Sequence, residues 1–285
     1  MPVLECGKLR IDFSDTGSGD PVVLIHSSVS GNRQWKRLTQ ALQDRFRVLA
    51  PNLYGYGETT PWKEDGTQTL ADQVALIEVI CDVVAGPIRL VGHSFGGSIA
   101  LKAAAKLGRR VSHLVLYEPN PFYLLQHDGR TEAYAEAMAL HDDVKRIGRQ
   151  GNWLALAERF ADYFSGDGSW AQMPPERRNA FAKSIPPNYY EWDCMRSDAT
   201  TVEEYCDLPA RTLLLHSADT RMALREIAEL FQDACPHWSF TTLPSGGHMA
   251  PLTQPDVVNP LIAGFLREDR RSDAPTLHVG RASTC

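Results

Sequence analysis

Short runs of valine, isoleucine and leucine recur along this chain of 285 residues, and longer segments with helical spacing separate them. The runs cover residues 22–25, 46–50, 88–91, 113–117 and 212–215. They are apolar on both faces, which is typical of strands that helices cover on both sides. Residues 68–85 and 97–107, between the runs, place apolar side chains at helical spacing. This order predicts an α/β fold, with a mostly parallel central sheet flanked by helices.

Two segments depart from this rhythm. The first twenty residues are predicted to form a hairpin that turns at residues 16–19, Thr-Gly-Ser-Gly. Residues 120–207 contain helical segments near 130–148, 152–164, 174–184 and 189–205, and no convincing strand. We therefore predict one core domain, residues 1–119 and 208–285, that is interrupted by an inserted helical lid or cap, residues 120–207. The polar segment at about 268–285 is interpreted as a surface tail.

A Gly-His-Ser-Phe-Gly-Gly sequence at residues 92–97 lies directly between the run at 88–91 and an alanine-rich helical segment. A G-x-S-x-G pattern alone is common by chance, but a strand before it and a helix after it are the context of a nucleophile elbow. The tight turn there tolerates only small neighbours. The free N–H groups at the start of the helix favour developing negative charge. Ser94 is therefore the predicted catalytic nucleophile.

A serine hydroxyl needs a general base to become an effective nucleophile. Among nine histidines, His248 lies in a glycine-rich loop, residues 244–252, after the predicted last strand and before another helical segment. Given the elbow upstream, His248 is the predicted base. His93, beside a strand, is interpreted as structural.

These motifs resemble those of the α/β-hydrolase superfamily, in the broad group of serine esterases, C–C bond hydrolases and cofactor-free haloperoxidases. The resemblance extends from residue 22 to about residue 266. It includes Leu-Ile-His-Ser-Ser at 24–28, Pro-Asn-Leu-Tyr-Gly-Tyr-Gly at 51–57, the elbow and the Gly-Gly-His loop. The family's chain order, nucleophile, acid and then histidine, agrees with Ser94 preceding His248. The resemblance is specific for the fold and says much less about the substrate.

The resemblance implies an oxyanion hole made of two backbone N–H groups. One belongs to Phe95, the residue after the nucleophile. The other is assigned to Ser28, in the loop after the first parallel strand. The family usually has His-Gly in that loop, whereas this chain has His26-Ser27-Ser28, so the sequence departs from the family pattern at Ser27.

The acid that orients the histidine has two candidates. In the family it usually follows the strand before the histidine loop, where an ungapped alignment places Thr220 at the acid position and Asp219 one residue earlier. Some members of the superfamily instead place a glutamate after the strand that follows the elbow helix, which is the position of Glu118. Because the carboxyl ends of neighbouring strands converge, either carboxylate can reach the histidine. Glu118 is the preferred acid and Asp219 the alternative.

The inserted segment is rich in aromatic residues and indicates a small, moderately apolar substrate. Phe122, Trp153 and Trp192 are candidate substrate-binding residues. The predicted function is that of a serine hydrolase that cleaves an ester bond. Cleavage of a C–C bond in a ketone, lactonase activity and perhydrolase activity use the same triad and remain alternatives. A remote alternative from another class is a non-catalytic receptor for a small molecule.

Composition and motifs exclude several other classes. The net charge is −6 and no block of five like charges occurs, so no nucleic-acid partner is expected. The sequence contains no run of 18 apolar residues, so no membrane span is predicted. No signal peptide is visible either, so a cytoplasmic location is expected. No phosphate-binding or metal-ligand motif is evident, so neither a cofactor nor a metal is expected. A homo-oligomer is possible, but the sequence does not indicate the oligomeric state.

The six cysteines are scattered and form no C-x-x-C pair. In a chain of this length they are interpreted as buried or surface thiols, and neither as a disulfide framework nor as a zinc site.

Overall fold

The structure is a computed structural model that describes residues 2–62, 68–196 and 198–268. The strands are β1 (Val3–Cys6), β2 (Leu9–Thr16), β3 (Asp20–Ile25), β4 (Phe46–Pro51), β5 (Ile88–His93), β6 (Val111–Tyr117), β7 (Arg211–Ser217) and β8 (Ser239–Leu243). The helices are α1 (Lys36–Leu42), α2 (Leu70–Cys81), α3 (Phe95–Leu107), α4 (Tyr123–His127), α5 (Thr131–Gly148), α6 (Trp153–Ser165), α7 (Ser169–Gln172), α8 (Pro175–Ser184), α9 (Asn188–Arg196), α10 (Val202–Cys206), α11 (Met222–Ala234), α12 (Ala250–Thr253) and α13 (Pro255–Arg267). Apart from Glu268, the predicted tail lies outside the described residues.

The strands form one eight-stranded sheet in the order β1-β2-β4-β3-β5-β6-β7-β8. The pairs from β4 through β3, β5, β6 and β7 to β8 are all parallel, and only β1 and β2 run antiparallel to their neighbours. The predicted fold class, a mostly parallel sheet flanked by helices, is confirmed.

Apolar side chains of each central strand alternate between two buried clusters, one on each face of the sheet. In β3, Val22 and Leu24 belong to the cluster that contains residues of α1 and α13. Val23 and Ile25 belong to the cluster that contains residues of α2, α3 and α11. All four side chains are fully buried, which explains why the strand is apolar throughout.

The predicted hairpin at residues 16–19 is wrong. The hairpin of the N-terminal region joins β1 to β2 and turns at Gly7, which has a φ of 61°. At residues 17–19 the chain instead crosses from β2 to β3, and β4 lies between these two strands. The physical reason is that β3 is buried on both faces and takes two parallel neighbours, β4 and β5, which leaves β2 to pair outside β4.

Seven helices, α4 to α10, lie between β6 and β7, and the described residues between these strands contain no strand. Helices α5, α6 and α8 correspond to three of the predicted segments, the segment predicted at 189–205 is two helices, α9 and α10, and the short helices α4 and α7 lie outside the predicted segments. A reciprocal capping box begins α10, because Thr201 and Glu204 each accept a hydrogen bond from the other's backbone N–H. The new helix start at Thr201 therefore separates α10 from α9.

A disulfide joins Cys206, at the end of α10, to Cys235, which directly follows α11. The expectation that all six cysteines are thiols is therefore wrong for this pair. The two helices pack against each other and bring the Cα atoms to 5.1 Å, although 29 positions separate the cysteines in sequence. Cys6, Cys81 and Cys194 are free.

Replacing Cys206 with serine is expected to lower the free energy of unfolding, because the crosslink restricts the unfolded chain. For a loop closed over 29 positions the loss is about 3–4 kcal/mol. Denaturant unfolding of Cys206→Ser and of the parent protein, each with and without a reductant, measures it. Cys6→Ser, at an exposed free thiol, is the control and should match the parent. Equal stability of Cys206→Ser and the oxidised parent would contradict the prediction.

Candidate active site

Ser94 lies in the turn between β5 and α3, with φ 57° and ψ −122°. This is a region that non-glycine residues rarely adopt. The turn is possible because glycines surround it: a Cβ on Gly92 would overlap the backbone of Gly96, and a Cβ on Gly96 would overlap the backbone of Ile25 and His26. The Ser94 N–H donates to the Tyr117 carbonyl at 3.0 Å, which ties the turn to β6.

The His248 side chain lies between Ser94 and Glu118. Its Nε2 is 2.8 Å from Ser94 Oγ, and its Nδ1 is 2.8 Å from Glu118 Oε2. The three side chains are almost fully buried. A carboxylate only accepts hydrogen bonds, so Nδ1–H is the donor to Glu118 and the lone pair on Nε2 faces the serine hydroxyl.

Glu118 directly follows β6 and has a positive φ of 41°. Its backbone N–H donates to the Leu215 carbonyl in β7 at 2.9 Å. Its carboxylate also accepts hydrogen bonds from the Ser217 N–H at 2.8 Å and from the Thr220 hydroxyl at 2.7 Å. Thr220, which the ungapped alignment places at the family's usual acid position, thus contacts the carboxylate that reaches the histidine.

Asp219 bonds to the backbone of the histidine loop and not to the imidazole. Its carboxylate accepts from the Gly247 N–H at 2.8 Å, the Gly246 N–H at 3.2 Å and the Ser217 hydroxyl at 2.6 Å. These hydrogen bonds, the one from Ser217 above all, lower the pKa of Asp219. Asp219 therefore holds the loop that carries His248.

His93 and Tyr117 also hold this loop. His93 Nε2–H donates to the His248 carbonyl oxygen at 2.8 Å, and the Tyr117 hydroxyl donates to the Gly247 carbonyl oxygen at 2.9 Å. Burial, and secondarily the neighbouring His248, holds the pKa of His93 well below its usual value. A neutral His93 can accept from the Gln34 amide at Nδ1, at 3.0 Å. The structural role expected for His93 agrees with these contacts.

The two predicted oxyanion donors belong to two different segments, the start of α3 and the loop after β3. Phe95 is the first residue of α3, so its N–H has no acceptor within the helix. Ser28 lies in the loop after β3, and in the described part of the chain no protein group accepts its N–H. Ser27, where the family usually has glycine, is held through its N–H by Gln34 Oε1 at 3.0 Å.

One aromatic side chain of the segment between β6 and β7 contacts the triad, and the three predicted substrate-binding aromatics lie elsewhere in that segment. Phe164, in α6, lies against the imidazole of His248 with the ring centroids 4.6 Å apart. Phe122 and Trp192 stack on each other with their ring centroids 5.4 Å apart, and both are fully buried. Trp153 is half-buried, and its ring lies edge-on to the ring of Tyr189 with the centroids 6.5 Å apart.

A groove of about 710 Å³ opens beside His248. Its lining includes Tyr163, Phe164, Thr220 and Arg221. The volume lies in the range of sites for small molecules. The groove thus connects the surface with the histidine side of the triad.

Two absences concern only the part of the chain that the structure describes. No group of three or more potential metal ligands occurs within residues 2–62, 68–196 and 198–268. No helix in these ranges is long and apolar enough to cross a membrane.

Sequence reasoning missed Gln34 and Glu191. Gln34 forms hydrogen bonds with both Ser27 and His93. Glu191 is a fully buried carboxyl in α9 that accepts a hydrogen bond from the Ser28 hydroxyl at 2.5 Å. Neither belongs to a motif. The only sequence signal for Glu191 is an acidic residue beside Trp192, in a segment otherwise interpreted as apolar lining.

The chain belongs to the alpha/beta hydrolase family, whose sequence profile matches residues 22–261. It is 26% identical over 259 residues to a 2-hydroxy-6-oxo-2,4-heptadienoate hydrolase of Pseudomonas putida, which covers 81% of this chain and 87% of the relative. An esterase of Exiguobacterium antarcticum superposes with a TM-score of 0.74 at 21% identity, over 91% of this chain and 96% of the esterase. A bromoperoxidase of Bacillus anthracis superposes with a TM-score of 0.73 at 20% identity, over 91% of this chain and 96% of the bromoperoxidase. The predicted superfamily is confirmed.

Gly96→Ala is expected to lower the free energy of unfolding by about 1–3 kcal/mol, because the added Cβ would overlap backbone atoms of Ile25 and His26 that cannot move away. Gly264→Ala is the matched control. Nothing lies within 4 Å of its added Cβ, and alanine in a helix is worth about 0.5–1 kcal/mol over glycine. Denaturant unfolding should move the two variants in opposite directions. A Gly96→Ala protein as stable as the parent would show that the turn is looser than described.

Proposed function

We propose that this protein is a serine hydrolase that cleaves an ester bond in a small, moderately apolar substrate. The observation that carries the proposal is the alignment of Ser94 Oγ, His248 and Glu118 at two distances of 2.8 Å, with the serine in a strained turn at the start of a helix. A histidine within hydrogen-bond reach of the hydroxyl, itself oriented by a carboxylate, activates a serine as a nucleophile.

In the first half of the proposed reaction, Ser94 Oγ attacks the ester carbonyl carbon while His248 Nε2 removes the hydroxyl proton. Glu118 keeps the imidazole in the tautomer with Nε2 free and stabilises the imidazolium. The backbone N–H groups of Phe95 and Ser28 donate to the oxyanion of the tetrahedral intermediate. When the C–O bond of the ester breaks, the imidazolium gives its proton to the leaving alcohol, and the acyl group remains on Ser94.

In the second half, His248 removes a proton from water as the water oxygen attacks the acyl carbon. The same two N–H groups stabilise the second oxyanion. Its collapse breaks the bond to Ser94 Oγ, which regains a proton from the imidazolium, and the carboxylic acid leaves. Each step uses only side chains, backbone N–H groups and water, so the proposal includes neither a cofactor nor a metal.

In this proposal residues 120–207 act as a cap on the core formed by residues 1–119 and 208–285. Two contacts support it: Phe164 of α6 lies on the imidazole, and Glu191 of α9 bonds to the loop of Ser28. Ser94 is only 4% exposed beneath this cover. The aromatic cover favours a moderately apolar substrate. Phe122, Trp153 and Trp192 do not line the groove beside His248, and they stay candidates for another part of the substrate site.

Hydrolysis of a C–C bond is the second candidate function. It is favoured by the 26% identity, over 259 residues, to the 2-hydroxy-6-oxo-2,4-heptadienoate hydrolase of Pseudomonas putida. A panel of p-nitrophenyl esters of increasing acyl length, assayed beside a vinylogous 1,5-diketone of the C–C hydrolase type, separates the two. A kcat/KM for the diketone well above that for every ester would favour the second candidate.

The nucleophile is tested with a fluorophosphonate probe, which reacts with activated serines. We expect stoichiometric labelling of the parent and none of Ser94→Ala, with kcat for an ester lowered by about 10⁶-fold because the nucleophile is removed. Ser239→Ala, at the exposed start of β8, is the control and should label like the parent. A folded parent protein that does not label and does not turn over would instead support the receptor alternative.

The two candidate acids are tested by Glu118→Gln and Asp219→Asn, which remove a charge and keep the shape. Glu118→Gln is expected to lower kcat by about 10³–10⁴-fold, because a glutamine amide favours the wrong imidazole tautomer. Asp219→Asn weakens the bonds to the Gly246 and Gly247 N–H groups and should cost less than about tenfold. Steady-state kinetics on one ester gives both values. The reverse order of the two losses would identify Asp219 as the acid.

A further inference from the structure

Glu191 is a fully buried carboxyl that the proposed triad does not use. It lies in α9, in the inserted segment, and burial raises its pKa to about 7. Burying an ionisable group costs free energy unless hydrogen bonds compensate for the lost water. The contacts that provide this compensation all come from Ser28, Tyr56 and Asn188.

The carboxyl group joins the inserted helix to the loop after β3. Ser28 Oγ donates to Glu191 Oε2 at 2.5 Å, and the Tyr56 hydroxyl donates to Oε1 at 2.8 Å. The same Tyr56 oxygen accepts the N–H of Val29 at 2.9 Å. Two consecutive residues of the loop are thus held, Ser28 directly and Val29 through Tyr56. Asn188, in the same helix, donates to Oε2 at 3.3 Å and holds the carboxyl group itself.

The backbone of this loop needs such support. Val29 has a φ of 70°, in the left-handed region that a β-branched residue avoids. A backbone of this kind persists only where its surroundings over-determine it. The direction of the Ser28 N–H depends on the torsion angles of the loop, so the bonds to Glu191 and Tyr56 also determine where that N–H points.

We propose that Glu191 is a positioning residue that holds the Ser28 N–H in the orientation of an oxyanion donor, so that the oxyanion hole is complete only while α9 is docked on the loop. The inference rests on the proposed function, because it assigns Ser28 as a donor. Glu191 itself acts through Ser28 and Tyr56 and contacts no reacting atom.

The test uses Glu191→Gln, Ser28→Ala and the double variant. Ser28→Ala keeps the backbone N–H but removes the hydroxyl that Glu191 receives, whereas Glu191→Gln replaces one acceptor oxygen by a donor. We expect each single variant to lower kcat on an ester by about 10- to 100-fold, below the loss for a deleted oxyanion donor, with KM changed by less than about threefold. Both variants alter the same connection between α9 and the loop, so the double variant should be no more than about threefold slower than the slower single one.

Asp193→Asn is the matched control. Asp193 lies in the same helix, two residues further on, and pairs with Lys145 at 2.5 Å. Asp193→Asn should keep kcat within about twofold, although it weakens the ion pair between α9 and Lys145 of α5. Near-UV circular dichroism checks the fold of each variant. If Glu191→Gln does not fold, Ser28→Ala alone decides: kcat at the parent value overturns the inference.

Two further outcomes overturn it: Glu191→Gln with the parent kcat, or losses in the single variants that multiply in the double variant. A change in KM alone also contradicts a role in oxyanion binding. Fluorophosphonate labelling of the parent at Ser94 separates these outcomes from failure of the proposed function. If the parent labels and Glu191→Gln turns over normally, only the positioning role is wrong. If the parent does not label, the proposed function itself is wrong.

Discussion

The imidazole of His248 is the group on which the rest of the site depends, because it bonds to Ser94 on one side and to Glu118 on the other. These hydrogen bonds join residues that are 154 and 130 positions apart, so no local element can form them. They require β5 and β6 to be neighbours in the sheet, and the loop after β8 to return across both. The order of the strands is therefore a condition for the site, as expected where the carboxyl ends of parallel strands converge.

Backbone strain at two adjacent strand ends makes this convergence possible. Ser94 follows β5 and Glu118 follows β6, and both have positive φ, a conformation that costs about 1–3 kcal/mol for a non-glycine residue. In each case the backbone N–H donates to the next strand, to Tyr117 in β6 and to Leu215 in β7. The parallel hydrogen-bond ladder thus continues past the strand ends, offsets part of the strain and turns both side chains toward the histidine loop.

Features that a short local motif determines could be predicted from the sequence. Features that depend on how distant segments pack together could not. The glycines at 92 and 96 identify the turn at Ser94 by their spacing around the serine. The N-terminal strand order could not be predicted, because a glycine-containing turn permits a hairpin as well as a crossing. The contact between Cys206 and Cys235 exists only because α10 and α11 pack together. The partners of Asp219 depend on the path of the loop backbone, which the sequence alone does not determine.

The loop after β3 shows how this chain departs from its family. Where relatives usually have glycine, Ser27 is present, and side chains hold the loop at three points: Gln34 at Ser27, Glu191 at Ser28, and Tyr56 at Val29. Gln34 also reaches His93, which holds the carbonyl of His248. The loop and the histidine are therefore coupled through one chain of hydrogen bonds. Because Glu191 comes from the inserted helices, a change in how they dock reaches the loop directly, without passing through the sheet.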